Sequence, residues 1–349
     1  MFAATIALLV SAPLLMGADV VTEKIFGPET PTGPYKHPAS FTELHNGDLF
    51  LVFYGGQGEY ANDTAVFGAS KKKGAAAWGK PRVLARDPFR SVGNGVIWEA
   101  PDRVLWLFYV IRFGDTWSKS RIAVKISKDS GETWSDSSIL APEEGMMVRG
   151  RPIVMSNGQY LLPVYHETGG DREVVGADST SLFLIYDPGK KVWSESGRIR
   201  SQKGNIQPAP VELEPGHVVA YCRRGGGYGP STDGYVVRAE SRDYGKTWTE
   251  GQDTRFPNPN AAVDLIKLKN GHLVLVYNDS MSKRTPLAVA LSTDGERSWG
   301  KRMVLADGAN DYAYPVALQT ADGKIHVLYT SDKRSTIRHA VFEESAIGK

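Results

Sequence analysis

The chain has 349 residues, with 41 Lys and Arg against 39 Asp and Glu and a formal net charge of +2. The basic residues are interspersed with carboxylates, so there is no nucleic-acid footprint, and Lys71-Lys72-Lys73 reads as a solvated hairpin tip. Cys222 is the single cysteine, which excludes an internal disulfide and leaves the redox compartment unassigned.

In chain order the first feature is an apolar run from Phe2 to Met16, ending near Gly17-Ala18. It is too short to span a bilayer comfortably. The run reads as a signal peptide over residues 1–18, cleaved near Ala18, which predicts a secreted or periplasmic protein of residues 19–349. Two details depart from a typical signal: no Lys or Arg precedes the run, and Met16 is not a small residue. No later segment approaches a membrane span.

From Asn46 onward one unit recurs. Turns at Asn46-Gly47, Pro101-Asp102, Asn157-Gly158, Pro215-Gly216, Asn270-Gly271 and Asp322-Gly323 are followed by DLFLVFY, RVLWLFYV, QYLLPVY, HVVAYC, HLVLVY and KIHVLY. The steps between these turns are 55, 56, 58, 55 and 52 residues. A second motif, S-x-D-x-G-x-T-W, spans Ser127 to Trp134 and again Ser241 to Trp248, with a looser copy from Ser292 to Trp299. Each copy follows a strand-like run. The Asp suits capping of backbone N–H groups, the Gly a positive φ, and the Trp packing under the turn. Degenerate versions fit Ser70 to Trp78 and Asp187-Pro188-Gly189 to Trp193, so Trp78, Trp134, Trp193, Trp248 and Trp299 keep the same pace. Six repeats, each long enough for four short strands, predict an all-β chain folded as one six-bladed β-propeller. A stacked solenoid would use a shorter repeat. The strand near Ile337 to Phe342 is expected to close the ring beside one near Val20 to Ile25.

A propeller directs its inner strands at a central channel, so functional residues should recur at equivalent blade positions while lying far apart in sequence. The ends of the apolar runs supply Tyr54, Arg112, His166 with Glu167, Arg223 with Arg224, Asn278 with Asp279, and Tyr329. The segments before those runs supply His37, Asn94, Arg151, Gln207, Asp264 and Tyr314. The seven histidines form no H-x-x-x-H or H-E-x-x-H arrangement, and the sequence implies neither a metal nor another cofactor. Gly225-Gly226-Gly227-Tyr228-Gly229 has no helix after it, so it reads as a loop at the channel mouth rather than a phosphate cradle.

At this level of detail the chain resembles the sialidase (neuraminidase) superfamily of Asp-box propellers, in particular its sialidase-like BNR-repeat branch, over the whole mature chain. Three segments carry the resemblance beyond the turn motif: Arg284 to Ser292, Ala313-Tyr314-Pro315, and Gln207-Pro208 through Arg223. The resemblance implies that Arg223 and Arg284 grip a substrate carboxylate; His37 or Arg151 is available to help them. It further implies that Tyr314 is the nucleophile, since an uncharged attacking group avoids repulsion by a carboxylate on the anomeric carbon. Two positions depart from the family's pattern. Tyr35-Lys36-His37-Pro38 stands where an arginine is expected, so that arginine is replaced by His37. Gln207 replaces the glutamate that deprotonates the tyrosine, and an amide cannot accept that proton. Glu59 is the preferred general acid, with Asp63 its competitor in the same loop. His37 is available as acid, base or cationic ligand, His166 with Glu167 forms a further pair, and Asp264 stands across the ring. The implied function is an exo-acting glycoside hydrolase releasing sialic acid from glycans. The alternatives are a glycosidase or lyase for uronate-containing glycans and a non-catalytic carbohydrate-binding propeller.

Overall fold

The computed structural model describes residues 20–172 and 174–349, and its repeated turn shows why the blades form. The Ser127 hydroxyl donates to Asp129 Oδ1 at 2.7 Å and accepts from Gly131 N at 2.9 Å. Asp129 Oδ1 in turn accepts from Thr133 N at 2.9 Å, and Trp134 Nε1 donates to Gly131 O at 3.0 Å. Gly131 sits at φ +90°, where a side chain would be strained. Ser241, Asp243, Gly245, Thr247 and Trp248 repeat the network with the corresponding bonds at 2.7, 2.9, 2.9 and 2.9 Å. In the looser copy Ser298 replaces threonine and Ser298 N still donates to Asp294 Oδ1 at 2.9 Å.

These turns join the third and fourth strands of antiparallel sheets, and six such sheets follow one another around the ring. The apolar runs are the second strands, Leu49–Gly56, Leu105–Arg112, Tyr160–His166, His217–Arg224, Leu273–Asn278 and Ile325–Ser331. They are buried on both faces, because neighbouring blades cover both sides of each sheet. Blade six uses the chain's beginning as its outer strand. Val20–Phe26 pairs antiparallel with Thr336–Phe342, in register Val20↔Phe342 and Thr22↔Ala340, which removes the open edge that strand would otherwise present. The expected ring closure is therefore present. The apolar run at Phe2 to Met16 lies outside the described residues.

The five tryptophans explain how blades stay in contact. Each reaches onto the preceding blade: Trp134 onto Phe50 at 6.3 Å between ring centroids, Trp193 onto Trp106 at 5.9 Å, Trp248 onto Phe183 at 4.5 Å, Trp299 onto Phe256 at 5.3 Å. Trp78 of blade one packs on His339 of blade six at 6.4 Å, across the closure. Aromatic pairs of this kind contribute about 0.5–1.5 kcal/mol each beyond their area burial.

Candidate active site

The channel-facing residues owe their placement to a repeated irregularity in the inner strands. Pairing between first and second strands shifts register at Lys36/Ala39, Gly93/Val96, Ile206/Ala209 and Ala313/Val316. The unpaired residues are His37-Pro38, Asn94-Gly95, Gln207-Pro208 and Tyr314-Pro315. A proline cannot donate to the ladder, so it belongs at a bulge. Asn94, Gln207 and Tyr314 take φ of +46°, +57° and +53°, strained for side-chain-bearing residues and of the kind that clusters at functional sites. His37, Asn94, Gln207 and Tyr314 all line one pocket, together with Glu59, Trp117, Tyr165, Glu167, Arg223, Tyr228 and others.

Tyr314 is its centre. Arg223 Nη1 donates to the Tyr314 hydroxyl at 2.9 Å and Gln207 Nε2 approaches it at 3.5 Å. Both partners are N–H donors, which favours a negative phenol oxygen. Burial pushes the Tyr314 hydroxyl up, but Arg223 and Arg284 outweigh it, so its pKa lies below the ordinary tyrosine value. Arg284 lies 5.6 Å from the Tyr314 ring centroid. Its Nη2 donates to Asn260 O at 3.2 Å, while its buried Nη1 has no acceptor among the described residues. A buried guanidinium N–H left open is costly unless an anion completes it.

His37 is 1% exposed and meets the Tyr314 ring edge-on at 4.1 Å. Burial first, then Arg334, Arg284, Arg149 and Arg223, hold its pKa well below the histidine range. Thr330 spends its single proton on Ala313 O at 3.1 Å, so His37 Nδ1 donates to Thr330 at 2.7 Å. Nε2 is then a buried lone pair without a partner among the described residues. A neutral acceptor cannot grip a carboxylate, which corrects the expectation of His37 as a cationic ligand.

Two carboxyls line the pocket. Glu59 is ion-paired with Arg334 and accepts from Trp117 Nε1 at 3.2 Å. Glu167 is pushed up to about 7 by burial, against the pull of Arg223 and with the help of Glu59. Tyr228 covers the arginines: Arg223 Nη2 donates to its hydroxyl at 2.8 Å and Arg284 lies 5.2 Å from its ring. The space left inside is about 30 Å³, enough for water and not for a sugar.

Four of the expected residues lie elsewhere. Asp63 Oδ1 accepts from Gln57 N at 3.1 Å and is a local loop cap. His166 Nε2 contacts Glu144 O at 3.0 Å and Glu143 at 3.5 Å, away from the pocket lining. Arg151 donates to Ala317 O and Asp264 Oδ2 accepts from Ala317 N at 2.7 Å. Together they staple three blades through one residue and line a separate cleft. The blade-three residue that reaches Tyr314 is Arg149, 5.7 Å from its ring, in the gap between Met146–Val148 and Ile153–Val154. Its guanidinium donates to Val263 O at 3.0 Å and to Pro315 O. Arg149, Arg334, Trp117 and Tyr165 carried no motif to mark them. Among the described residues no group of three or more His, Cys, Asp or Glu is arranged to hold a metal ion.

A six-bladed propeller of Asp-box repeats with a cationic, tyrosine-centred pocket at its channel defines the class. The chain belongs to the BNR repeat-like domain family, which matches residues 47–327. A sialidase of Bacteroides fragilis (strain YCH46) is 25% identical over 245 residues, 64% of this chain and 41% of that protein. The match thus spans about two fifths of the length of that relative. Among solved structures, a Hadza microbial sialidase, Hz136, superposes with TM-score 0.77 at 15% identity, over 93% of this chain and 69% of that one. An α-L-arabinanase of Penicillium chrysogenum gives 0.66 at 15% identity over 93% and 98%. At these identities the structural likeness speaks for the fold. No helix among the described residues is long and apolar enough to cross a membrane.

Proposed function

We infer that the protein is an exo-acting glycoside hydrolase that releases a terminal acidic sugar, sialic acid, from glycans. The observation that carries this reading is the Tyr314 phenol oxygen held by Arg223 at 2.9 Å, beside a buried Arg284 N–H with no partner among the described residues. The pocket offers an anion site and a nucleophile together. Gln207 removes the usual base, and the lowered pKa of Tyr314 takes over its activation. The phenol oxygen attacks the anomeric carbon and the leaving oxygen takes a proton. That proton comes from Glu167. Its supporting feature is a carboxyl that stays protonated to about pH 7, whereas Glu59 is engaged by Arg334 and Trp117. Water then releases the sugar from Tyr314 with Glu167 as base. The apolar run at Phe2 to Met16 supports action outside the cytoplasm.

A uronate-containing glycan is the second reading, favoured by the neutral His37 acceptor where an arginine was expected. The test is release of free sialic acid from a sialylated glycoprotein by residues 19–349. Release that Tyr314→Phe reduces by about 1,000-fold or more supports the reading. No release by the wild type, with release of a uronate from a uronate-terminated glycan, replaces it by the second.

A further inference from the structure

Arg334 enters the site from a direction that the repeat pattern does not anticipate. It stands in the tip of the blade-six hairpin, between Ile325–Ser331 and Thr336–Phe342. Asp332, Lys333 and Arg334 take φ of +54°, +55° and +64°. Three consecutive non-glycine residues in the left-handed region persist only where the surroundings impose them. One such contact crosses the ring closure: Arg334 O accepts from Lys36 N at 2.8 Å, one residue before His37. The tip thereby delivers its guanidinium to the blade-one side of the pocket. Arg334 Nη1 donates to the Tyr35 hydroxyl at 3.4 Å and pairs with Glu59.

We propose that Arg334 is the third carboxylate-binding guanidinium of the site, acting with Arg223 and Arg284 on an acidic sugar. The assignment rests on the acidic-sugar reading above. His37 is neutral and presents a lone pair, so it leaves a cation missing. Arg149 cannot fill the place, because its two Nη atoms are bound to the carbonyls of Val263 and Pro315. Arg334 is paired with Glu59, which lines the same pocket as His37 and Tyr314. Both of its side-chain contacts use Nη1. Among the described residues Nε and Nη2 have no hydrogen-bond acceptor, so the fork that suits a carboxylate is open. Glu59 holds the guanidinium in place and shares it with the ligand when one arrives.

Calorimetric binding of N-acetylneuraminic acid and D-glucuronate, each beside its methyl ester, separates the possibilities. The wild type should bind one acid more tightly than its ester. Arg334→Ala should weaken that acid by about 10- to 100-fold and leave the ester unchanged, with Arg334→Lys recovering part of the loss. Glu59→Gln should retain the preference for the acid. If Arg334→Ala weakens acid and ester alike, or weakens neither, or if Glu59→Gln reproduces its effect, Arg334 is only a strut for Glu59 and the assignment is overturned. A folded wild type that binds no acid better than its ester takes down the acidic-sugar reading and this assignment with it. Thermal melts of each variant show whether a loss is one of folding.

Discussion

Arg223 Nη1 and the Tyr314 hydroxyl lie 2.9 Å apart although 91 residues separate them in sequence. A bulge in blade six turns Tyr314 inward, and the end of the second strand of blade four carries Arg223 to it. In the proposed reading the pair sets the site's chemistry, because the arginine gives a buried phenol a reason to ionise without a base. Ultraviolet titration should therefore reveal one tyrosine ionising below the ordinary range. Tyr314→Phe should remove that step and Arg223→Ala should raise it. A titration unchanged by Tyr314→Phe would contradict the assignment.

Glu167 makes a prediction with a definite sign. Its folded pKa, about 7, exceeds the usual carboxylate value, so the folded state holds a proton that the unfolded state has lost between about pH 4.5 and 7. Its contribution to stability is fully present below that window and is lost as pH rises through 7. Denaturant unfolding of Glu167→Gln should lack this falling component relative to wild type. In activity, Glu167→Gln should cost about 100- to 10,000-fold and remove the alkaline limb near pH 7. If Glu59→Gln does so instead, the two carboxyls exchange roles.

Tyr228 occupies the face of Arg223 and Arg284 that a carboxylate would need. Its loop is tied at the base by a Val175–Gly226 bridge, with Gly226 N donating to Val175 O at 2.9 Å. At Gly225 a Cβ would come within 2.0 Å of Lys203 O, so no larger residue fits there. Beyond the bridge, Gly229 has open space around it. In the proposed reading the tip swings away as a sugar enters, since the space beneath it is about 30 Å³. Tyr228→Ala should speed association of an acidic sugar in stopped-flow binding, and an unchanged association rate would show that the tip is no barrier.

The repeats were legible because strand periodicity and the turn motif are both local, and each turn's hydrogen bonds close within five residues. His37, Gln207 and Tyr314 were legible by their recurring place before the apolar runs and by the family resemblance. The same placement misleads in blade three. There it points to Arg151, while Arg149, two residues earlier in the gap between two strands, reaches Tyr314. Arg334 was not legible: no motif marks Asp332-Lys333-Arg334, and only the ring closure, through Lys36 N on Arg334 O, sets it beside the site. Likewise Asp264 looked functional by position, and its partner turned out to be a backbone amide in the next blade.

Blade cohesion rests on the tryptophan set. Trp248 stacks on Phe183 at 4.5 Å and 20° and anchors its own turn through Gly245 O. Trp248→Ala should lower unfolding free energy by about 3 kcal/mol while leaving the affinity for an acidic sugar intact, as read by denaturant melts and calorimetry. A stability loss under about 0.5 kcal/mol, the scale of an ordinary surface change, would show that blades three and four do not depend on this contact.

The most direct test of the proposed chemistry is the mass of the protein when turnover of a sialylated substrate is stopped by rapid denaturation. The account predicts a fraction heavier by one sugar residue, with the added mass on the peptide containing Tyr314 and absent from Tyr314→Phe. Sustained release of sugar by Tyr314→Phe, with no adduct on any peptide of the wild type, would contradict it.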